Sequence, residues 1–178
     1  LIEEQEYHLD VGVLGGRVLF HVLTEFGYSD LAFSMITRPD YPSYGNWIAR
    51  GATTLWEVFQ PEGSDRIGSL NHHFWGDISS WFTQALSGIR MAPHGEPNEV
   101  DFRPSFISRL THAEAFHIAP AGRIASAWER DEDDVIVLTV KLPSTMHGVI
   151  RLESGYVFED DLAYKAAESG TYRIHSIE

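Results

Sequence analysis

Residues 78–98, ISSWFTQALSGIRMAPHGEPN, contain the point at which the apolar pattern of this chain changes. In the first half of the stretch, apolar residues recur at steps of three and four, which predicts an amphipathic helix. Asp77 lies in the first turn of this helix, where an anion stabilises the helix dipole. Residues 91–98 contain two prolines and a glycine and show no helical pattern. We therefore expect a helical domain over 1–90 and a linker over 91–101. The apolar face of this helix comprises Ile78, Trp81, Phe82, Ala85, Leu86 and Ile89.

The chain upstream of this stretch also shows helical periodicity. Apolar residues recur every three or four positions between Val11 and Phe26, and Gly27 follows at the place typical of a C-cap glycine. A second helix is expected after Ser29 or Asp30, either of which can act as its N-cap. The apolar residues of the two helices are Val11, Leu14, Val18, Val22 and Phe26, and then Leu31, Ala32, Met35 and Ile36.

Beyond the linker the apolar period becomes two, which is typical of β-strands. Every second residue from Ile136 to Leu142 is apolar, and the acidic turn Asp131–Asp134 precedes this segment, which predicts a hairpin. Short strands separated by glycine and proline turns predict a small antiparallel β-sandwich over 102–178. The fold class expected is therefore α+β. The predicted strands are residues 123–130, 135–142, 147–152 and 171–177.

Composition limits the possible partners. The 178 residues are 43% hydrophobic, which is enough for one large core or two small ones. The formal net charge of -13 argues against nucleic acid and anionic membranes, because both are bound through clustered Lys and Arg. No apolar run approaches the ~20 residues that span a bilayer. The absence of cysteine fits a bacterial cytoplasmic protein and equally a secreted one, so the compartment stays open.

Two short segments place ionisable groups beside aromatic rings. Gly51–Glu57, GATTLWE, joins a carboxylate to the indole of Trp56, and Ser69–Gly76, SLNHHFWG, places two histidines beside two aromatic residues. A planar ring can cover the C–H face of a pyranose, while ionisable groups address its hydroxyls and its glycosidic bond. These residues predict a sugar site, although a surface acid and core tryptophans would give the same pattern.

The order of these segments resembles that of the α-L-rhamnosidases built on an (α/α)6 barrel. The resemblance extends upstream through residues 8–12, HLDVG, through the Gly15-Gly16 pair, and through residues 28–32 and 41–45, YSDLA and YPSYG. These enzymes remove terminal α-L-rhamnose from glycosides and polysaccharides, and a β-sandwich follows their barrel. The resemblance therefore implies the last barrel helices followed by a C-terminal β-sandwich.

The resemblance also implies roles for three residues. Glu57 matches the general base, which activates the water that displaces the leaving group with inversion. His72 matches a histidine that contacts the sugar, and Trp56 would shape the pocket wall. No organic cofactor is implied. The connection between Glu57 and Ser69 is shorter than the family pattern, so the resemblance does not imply a particular leaving-group specificity.

The general acid implied by the resemblance lies upstream of the base, and nothing before Glu57 matches it. Twelve helices of ~11 residues joined by loops of ~5 need roughly 190 residues, about twice the length that precedes the linker. We therefore expect a C-terminal fragment that is inactive alone, and the opening at Leu1 rather than Met fits a cut or processed chain. Helices without their partners predict an exposed hydrophobic surface or a compensating homodimer.

Other interpretations stay open. A related (α/α)6 enzyme could act on another sugar or by phosphorolysis, and a carbohydrate-binding or structural module would need no acid at all. Glu62 and Asp65 are alternative bases by composition. We expect no metal site, because the adjacent His72 and His73 point apart and zinc needs three or four convergent ligands. Asp131–Asp134 lacks the ligand spacing of a calcium loop.

Overall fold

The computed structural model describes residues 3–65 and 68–177, so Leu1 lies outside the described part. The chain divides into two compact units, Leu1–Ser80 and Trp81–Glu178. The first unit is helical and carries a long irregular segment between residues 50 and 77. The described helices of the chain are α1 (Val13–Glu25), α2 (Ser29–Thr37), α3 (Tyr44–Ala49) and α4 (Ile78–Trp81), and the π-helical turn that follows α4 (Phe82–Leu86) belongs to the second unit.

Helix α1 ends as its sequence predicts. Gly27 adopts a φ of +80°, a left-handed conformation that glycine reaches without steric cost. The Tyr28 N–H donates to the Leu23 carbonyl at 2.8 Å, and the Gly27 N–H donates to the Thr24 carbonyl at 3.0 Å. These two bonds form a Schellman motif, so Gly27 is confirmed as the residue that stops the helix.

The apolar residues predicted for α1 do not form its buried face. Gly16, Phe20 and Leu23 are the buried residues of this helix. The predicted stripe lies largely in solvent, with Leu14 77% and Phe26 75% exposed. An exposed hydrophobic surface is therefore confirmed among the described residues, and α1 is apolar on two sides. Exposed members of the stripe are Val11, Leu14, Val18, Val22 and Phe26.

Two helix boundaries differ from the sequence prediction. Ser29 is the first residue of α2 rather than its N-cap, a position held by Tyr28. The helix expected to reach Ile89 ends at Leu86, because Gly88 turns the chain with a φ of +76°. Ile89 instead begins a strand and is buried there, so the same apolar side chain satisfies either structure.

The second unit is a two-sheet sandwich. One sheet has the order β1-β2-β6-β8 and the other has the order β3-β4-β5-β9-β7. All neighbours pair antiparallel except β2 and β6, which pair parallel. The described strands are β1 (Ile89–Met91), β2 (Val100–Phe102), β3 (His112–Ala119), β4 (Gly122–Arg130), β5 (Ile136–Lys141), β6 (Val149–Arg151), β7 (Tyr156–Phe158), β8 (Tyr164–Ala166) and β9 (Gly170–Ser176).

The predicted alternation and hairpin are confirmed. Ile136, Leu138 and Val140 are fully buried in the core between the sheets. β4 and β5 pair in register across the acidic turn, where the Asp131 carboxylate accepts the Val135 N–H at 2.9 Å. The expected linker over 91–101 includes the end of β1 and the start of β2, and residues 92–99 connect these two paired strands.

None of the helices in the described residues is long and apolar enough to cross a membrane.

Candidate active site

A cavity of about 500 Å³ lies within the first unit. Four chain segments line it: residues 9–13, 41–42, 57–59 and 74–75. The volume falls in the range of small-ligand sites, and the lining combines aromatic and aliphatic groups with few charges. Among the described lining residues the charged side chains are the carboxylates of Asp10 and Glu57.

The backbone on both sides of Glu57 fixes its position on the cavity wall. Its N–H donates to the Ser69 carbonyl at 2.9 Å, and its own carbonyl accepts the Trp75 indole N–H at 2.9 Å. The Ser69 N–H in turn donates to the Oε2 atom of Glu57 at 2.9 Å. Gly68 sits so close that an added Cβ would lie 3.4 Å from Oε2. The carboxylate is therefore held in a defined direction by the Ser69 N–H, while Ser69 and Trp75 fix the backbone of Glu57.

An aromatic cluster supports this wall from behind. The rings of Trp47 and Phe59 stack at 4.1 Å, and Phe59 meets Trp75 edge to face at 4.7 Å. The Tyr44 hydroxyl donates to the Trp75 carbonyl at 3.1 Å. Burial raises the pKa of the Tyr44 hydroxyl well above its ordinary value, and the negative charge of Asp77 adds to the shift. The hydroxyl therefore keeps its proton and its hydrogen bond at any ordinary pH.

The other predicted site residues lie near Glu57 in sequence but outside this cavity's described lining. Trp56 packs against Trp47 at 6.0 Å, and the guanidinium of Arg50 lies 5.3 Å over its ring. The His72 Nδ1 atom accepts the Phe74 N–H at 3.2 Å. In the neutral imidazole this bond assigns the proton to Nε2, which then acts as a donor. The sugar contacts of Trp56 and His72 stay predictions.

The remaining candidate residues, His73, Glu62 and Asp65, are exposed. The ring of His73 lies parallel to that of His72 at 5.2 Å. Glu62 and Asp65 do not belong to the described cavity lining. Within residues 3–65 and 68–177, no group of three or more His, Cys, Asp or Glu side chains could hold a metal ion.

Sequence reasoning did not single out Asp10, Tyr41 or Phe74 as site residues, yet all three line the cavity. Asp10 and Tyr41 lie inside the segments HLDVG and YPSYG that carry the family resemblance. Their position inside these two segments was the signal in the sequence that could have identified them as site residues. Their local patterns resemble a helix approach and a proline turn, so only the tertiary fold brings them to Glu57.

An ion cluster anchors the chain just before Asp10. The Arg38 guanidinium donates to both carboxylate oxygens of Asp40, at 2.8 and 2.7 Å, and the His8 Nε2 lies 3.0 Å from Asp40 Oδ2. Arg38 also donates to the Glu6 carbonyl at 3.2 Å. The hydrogen bond from Arg38, followed by that from His8, holds the pKa of the Asp40 carboxyl well below its usual range.

Replacing Asp40 with Asn should lower the free energy of unfolding at about pH 7 by no more than about 1 kcal/mol, because the exposed pair is screened by solvent. Because the pKa of the Asp40 carboxyl is lower in the folded state, its ionised form stabilises the fold at pH values above the ordinary pKa of 3.8. This contribution is lost as the pH falls from 3.8 toward the folded-state pKa. Urea unfolding should therefore show a smaller gap between wild type and variant at about pH 3. Asp65→Asn, an exposed carboxylate of the same unit, is the control. If the difference in unfolding free energy between wild type and Asp40→Asn is the same at both pH values, the ionised Asp40 carboxylate does not stabilise the fold in this way.

The comparisons with known proteins define the class first. Residues 1–86 match the model of the bacterial alpha-L-rhamnosidase 6 hairpin glycosidase domain. Residues 98–155 match the model of the bacterial alpha-L-rhamnosidase C-terminal domain. The two matches follow each other in the order of the helical unit and the sandwich. The chain belongs to the bacterial α-L-rhamnosidase family.

Individual relatives agree with this family. An alpha-L-rhamnosidase of Streptomyces avermitilis is 32% identical over 149 residues, which cover 80% of this chain and 14% of that protein. One from Formosa agariphila is 33% identical over 150 residues, 81% of this chain and 16% of its own length. The chain thus spans about one seventh of the curated relatives it matches.

Solved structures show the same architecture. The alpha-L-rhamnosidase from Dictyoglumus thermophilum aligns with a TM-score of 0.83 and 27% identity over 99% of this chain and 22% of that one. The Streptomyces avermitilis alpha-L-rhamnosidase complexed with L-rhamnose aligns with a TM-score of 0.82 and 27% identity over 97% of this chain and 18% of that one. The expected fold, partial barrel helices followed by a β-sandwich, is confirmed.

Proposed function

We propose that this chain is the C-terminal part of an inverting α-L-rhamnosidase, in which Glu57 is the general base. The observation that carries the proposal is the position of Glu57 on the wall of the cavity. Its carboxylate is oriented by the Ser69 N–H, and its backbone is fixed by the Trp75 indole. An oriented carboxylate in a cavity with aromatic walls can address a water beside a bound sugar.

The chemistry requires two carboxyl groups on opposite sides of the sugar. The Glu57 carboxylate takes a proton from a water as the water oxygen bonds to the anomeric carbon. The bond to the leaving group breaks at the same time, and a general acid protonates the departing oxygen. The base and the acid stand roughly 6.5–9.5 Å apart in such enzymes so that the water fits between them. The acid comes from another part of the enzyme, so the 178-residue chain alone is inactive.

His72 and Trp56 belong to the rhamnose subsite in this proposal. His72 donates a hydrogen bond from Nε2 to a sugar hydroxyl, because its Nδ1 is already occupied by the Phe74 N–H. Trp56 supports the wall from outside the described lining, because its ring packs on Trp47 and Trp47 stacks on the lining residue Phe59. The substrates are rhamnose-containing glycosides or polysaccharides, and no organic cofactor takes part. The exposed stripe of α1 is covered by the other barrel helices, or by a second copy in a homodimer.

Hydrolysis fits the cavity better than phosphorolysis does. A phosphate nucleophile brings its own negative charge, and the charged residues of the described lining, Asp10 and Glu57, are both acidic. Two carboxylates in the same cavity would repel a phosphate dianion. The related class of phosphorolytic enzymes is therefore the weaker alternative.

The test is a panel of aryl glycosides offered to the complete enzyme, with and without phosphate. We expect release of the aryl group from the α-L-rhamnoside alone, at a rate that phosphate does not change. Proton NMR of the first product should show β-L-rhamnose. Activity that depends on phosphate, a retained anomer, or a preference for another sugar would each overturn this proposal.

The chain by itself tests the non-catalytic alternative. Calorimetric titration of the 178-residue chain with L-rhamnose should show weak binding, because one wall of the subsite is present. Tight binding without any hydrolysis by the complete enzyme would favour a carbohydrate-binding module instead.

A further inference from the structure

A second acidic residue, Asp10, belongs to the described lining of the cavity that contains Glu57. Asp10 lines this cavity together with Tyr41 and Phe74, and its side chain is exposed. The family resemblance assigns it no role. Its carboxylate is therefore available at the surface of a cavity large enough for a monosaccharide.

The position of Asp10 is fixed on both sides along the chain. Leu9 is buried, with 6% of its surface exposed, and His8 is held by Asp40 at 3.0 Å. Two residues after Asp10, Gly12 forms the N-cap of α1. A backbone segment between two anchored points loses little conformational freedom on binding a ligand, which favours a role in recognition.

We propose that Asp10 is a substrate-binding residue whose carboxylate accepts hydrogen bonds from hydroxyls of the sugar bound beside Glu57. This inference rests on the proposed function. A carboxylate only accepts hydrogen bonds and a sugar hydroxyl can donate, so the pair is complementary and charge-assisted. Its two oxygens can serve two neighbouring hydroxyls, while the ring of Phe74 offers an apolar surface to the C–H face.

The same charge gives the site a preference among sugars. Asp10 and Glu57 make the described lining negative, and a uronic acid in this cavity would bring a third carboxylate. The geometry therefore favours neutral sugars with free hydroxyls, such as a deoxyhexose, over anionic ones.

The test replaces Asp10 with Asn in the complete enzyme, with Asp133→Asn as the matched control. Asp133 is an exposed carboxylate at the hairpin turn of the second unit and is not among the described lining residues of the cavity. We expect Asp10→Asn to raise both the KM for an aryl α-L-rhamnoside and the Ki of L-rhamnose about tenfold, as for the loss of a charge-assisted hydrogen bond. The control Asp133→Asn should change neither constant. The pH–rate profile of Asp10→Asn should keep both its acidic and its alkaline limb.

Monodeoxy aryl rhamnosides, each lacking one ring hydroxyl, sharpen the test. A substrate that lacks a contacted hydroxyl should show a smaller difference in binding between wild type and Asp10→Asn, while the other substrates keep the full difference. Asp10→Ser serves as a second variant if the Asn variant fails to fold, and circular dichroism checks both.

Each other outcome overturns the inference. Unchanged KM and Ki in a folded variant would show that Asp10 does not touch the sugar. A collapse of kcat with loss of the alkaline limb would make Asp10 the general acid instead. If wild-type enzyme hydrolyses no rhamnoside, the proposed function fails, whereas an active enzyme indifferent to Asp10→Asn contradicts this inference alone.

Discussion

Replacing Glu57 with Gln in the complete enzyme should lower kcat on an aryl α-L-rhamnoside about 10³-fold, within the usual contribution of a general base. The amide cannot take a proton from water, but it can still accept the Ser69 N–H. The backbone bonds to Ser69 and Trp75 do not depend on the side chain, so the fold should be kept. Steady-state kinetics should show the loss in kcat with little change in KM, because substrate binding is retained.

Two controls separate chemistry from folding in the Glu57 experiment. Glu62→Gln changes an exposed acid a few residues away and should leave kcat unchanged. Azide added to Glu57→Ala should restore turnover, because an anionic nucleophile needs no base, and should yield a rhamnosyl azide of inverted configuration. Retention of most activity by Glu57→Gln, with wild-type KM, would contradict the assignment of the base.

Replacing Trp128 with Ala should destabilise the sandwich by about 3–5 kcal/mol, the usual cost of removing a large buried aromatic side chain. Trp128 is 2% exposed, its ring meets Phe106 edge to face at 5.5 Å, and its indole N–H donates to the Leu86 carbonyl at 2.7 Å. The change therefore leaves both a cavity and a buried carbonyl without its donor. Hydrogen exchange can measure the loss, because it reports β4 and β5 separately from the helical unit.

Matched variants divide this cost into its parts. Trp128→Phe keeps a six-membered ring but removes the indole donor together with the pyrrole part of the ring, so it should cost about 2–3 kcal/mol, less than Trp128→Ala and more than a lost hydrogen bond alone. Tyr164→Ala removes an aromatic ring that is 60% exposed in the same unit. It should stay within about 0.5 kcal/mol of wild type. Equal losses for Tyr164→Ala and Trp128→Ala would show that the Trp128 contacts are not what stabilises the sandwich.

The strength of the local pattern decides which elements could be predicted. The β4–β5 hairpin was predictable because alternation at Ile136, Leu138 and Val140 is long enough to exclude a helix. The strands β1 and β2 have three residues each, too few to establish a period. Helix α3 has six residues, and its only clear signal is Ser43, whose side chain accepts the Asn46 N–H at 2.8 Å.

Some site residues could likewise be predicted from the local sequence, while others are identified only by the tertiary fold. Glu57 could be selected because a family motif surrounds it. Asp10 lies 47 positions earlier, and only packing of the first unit brings it to the same cavity. The bond from the Trp75 indole to the Glu57 carbonyl is also tertiary, since no spacing rule predicts which polar atom a buried tryptophan will find.

The two-sided apolar character of α1 has a consequence for the chain in solution. The exposed apolar surface of α1, which includes Leu14, Val18 and Phe26, favours association of one molecule with another. The net charge of -13 opposes this association, because the molecules repel one another. Salt screens this repulsion but leaves the hydrophobic attraction intact. The isolated chain should therefore behave as a charge-stabilised colloid whose light scattering rises with ionic strength, and dilute low-salt buffer is the condition in which it can be handled.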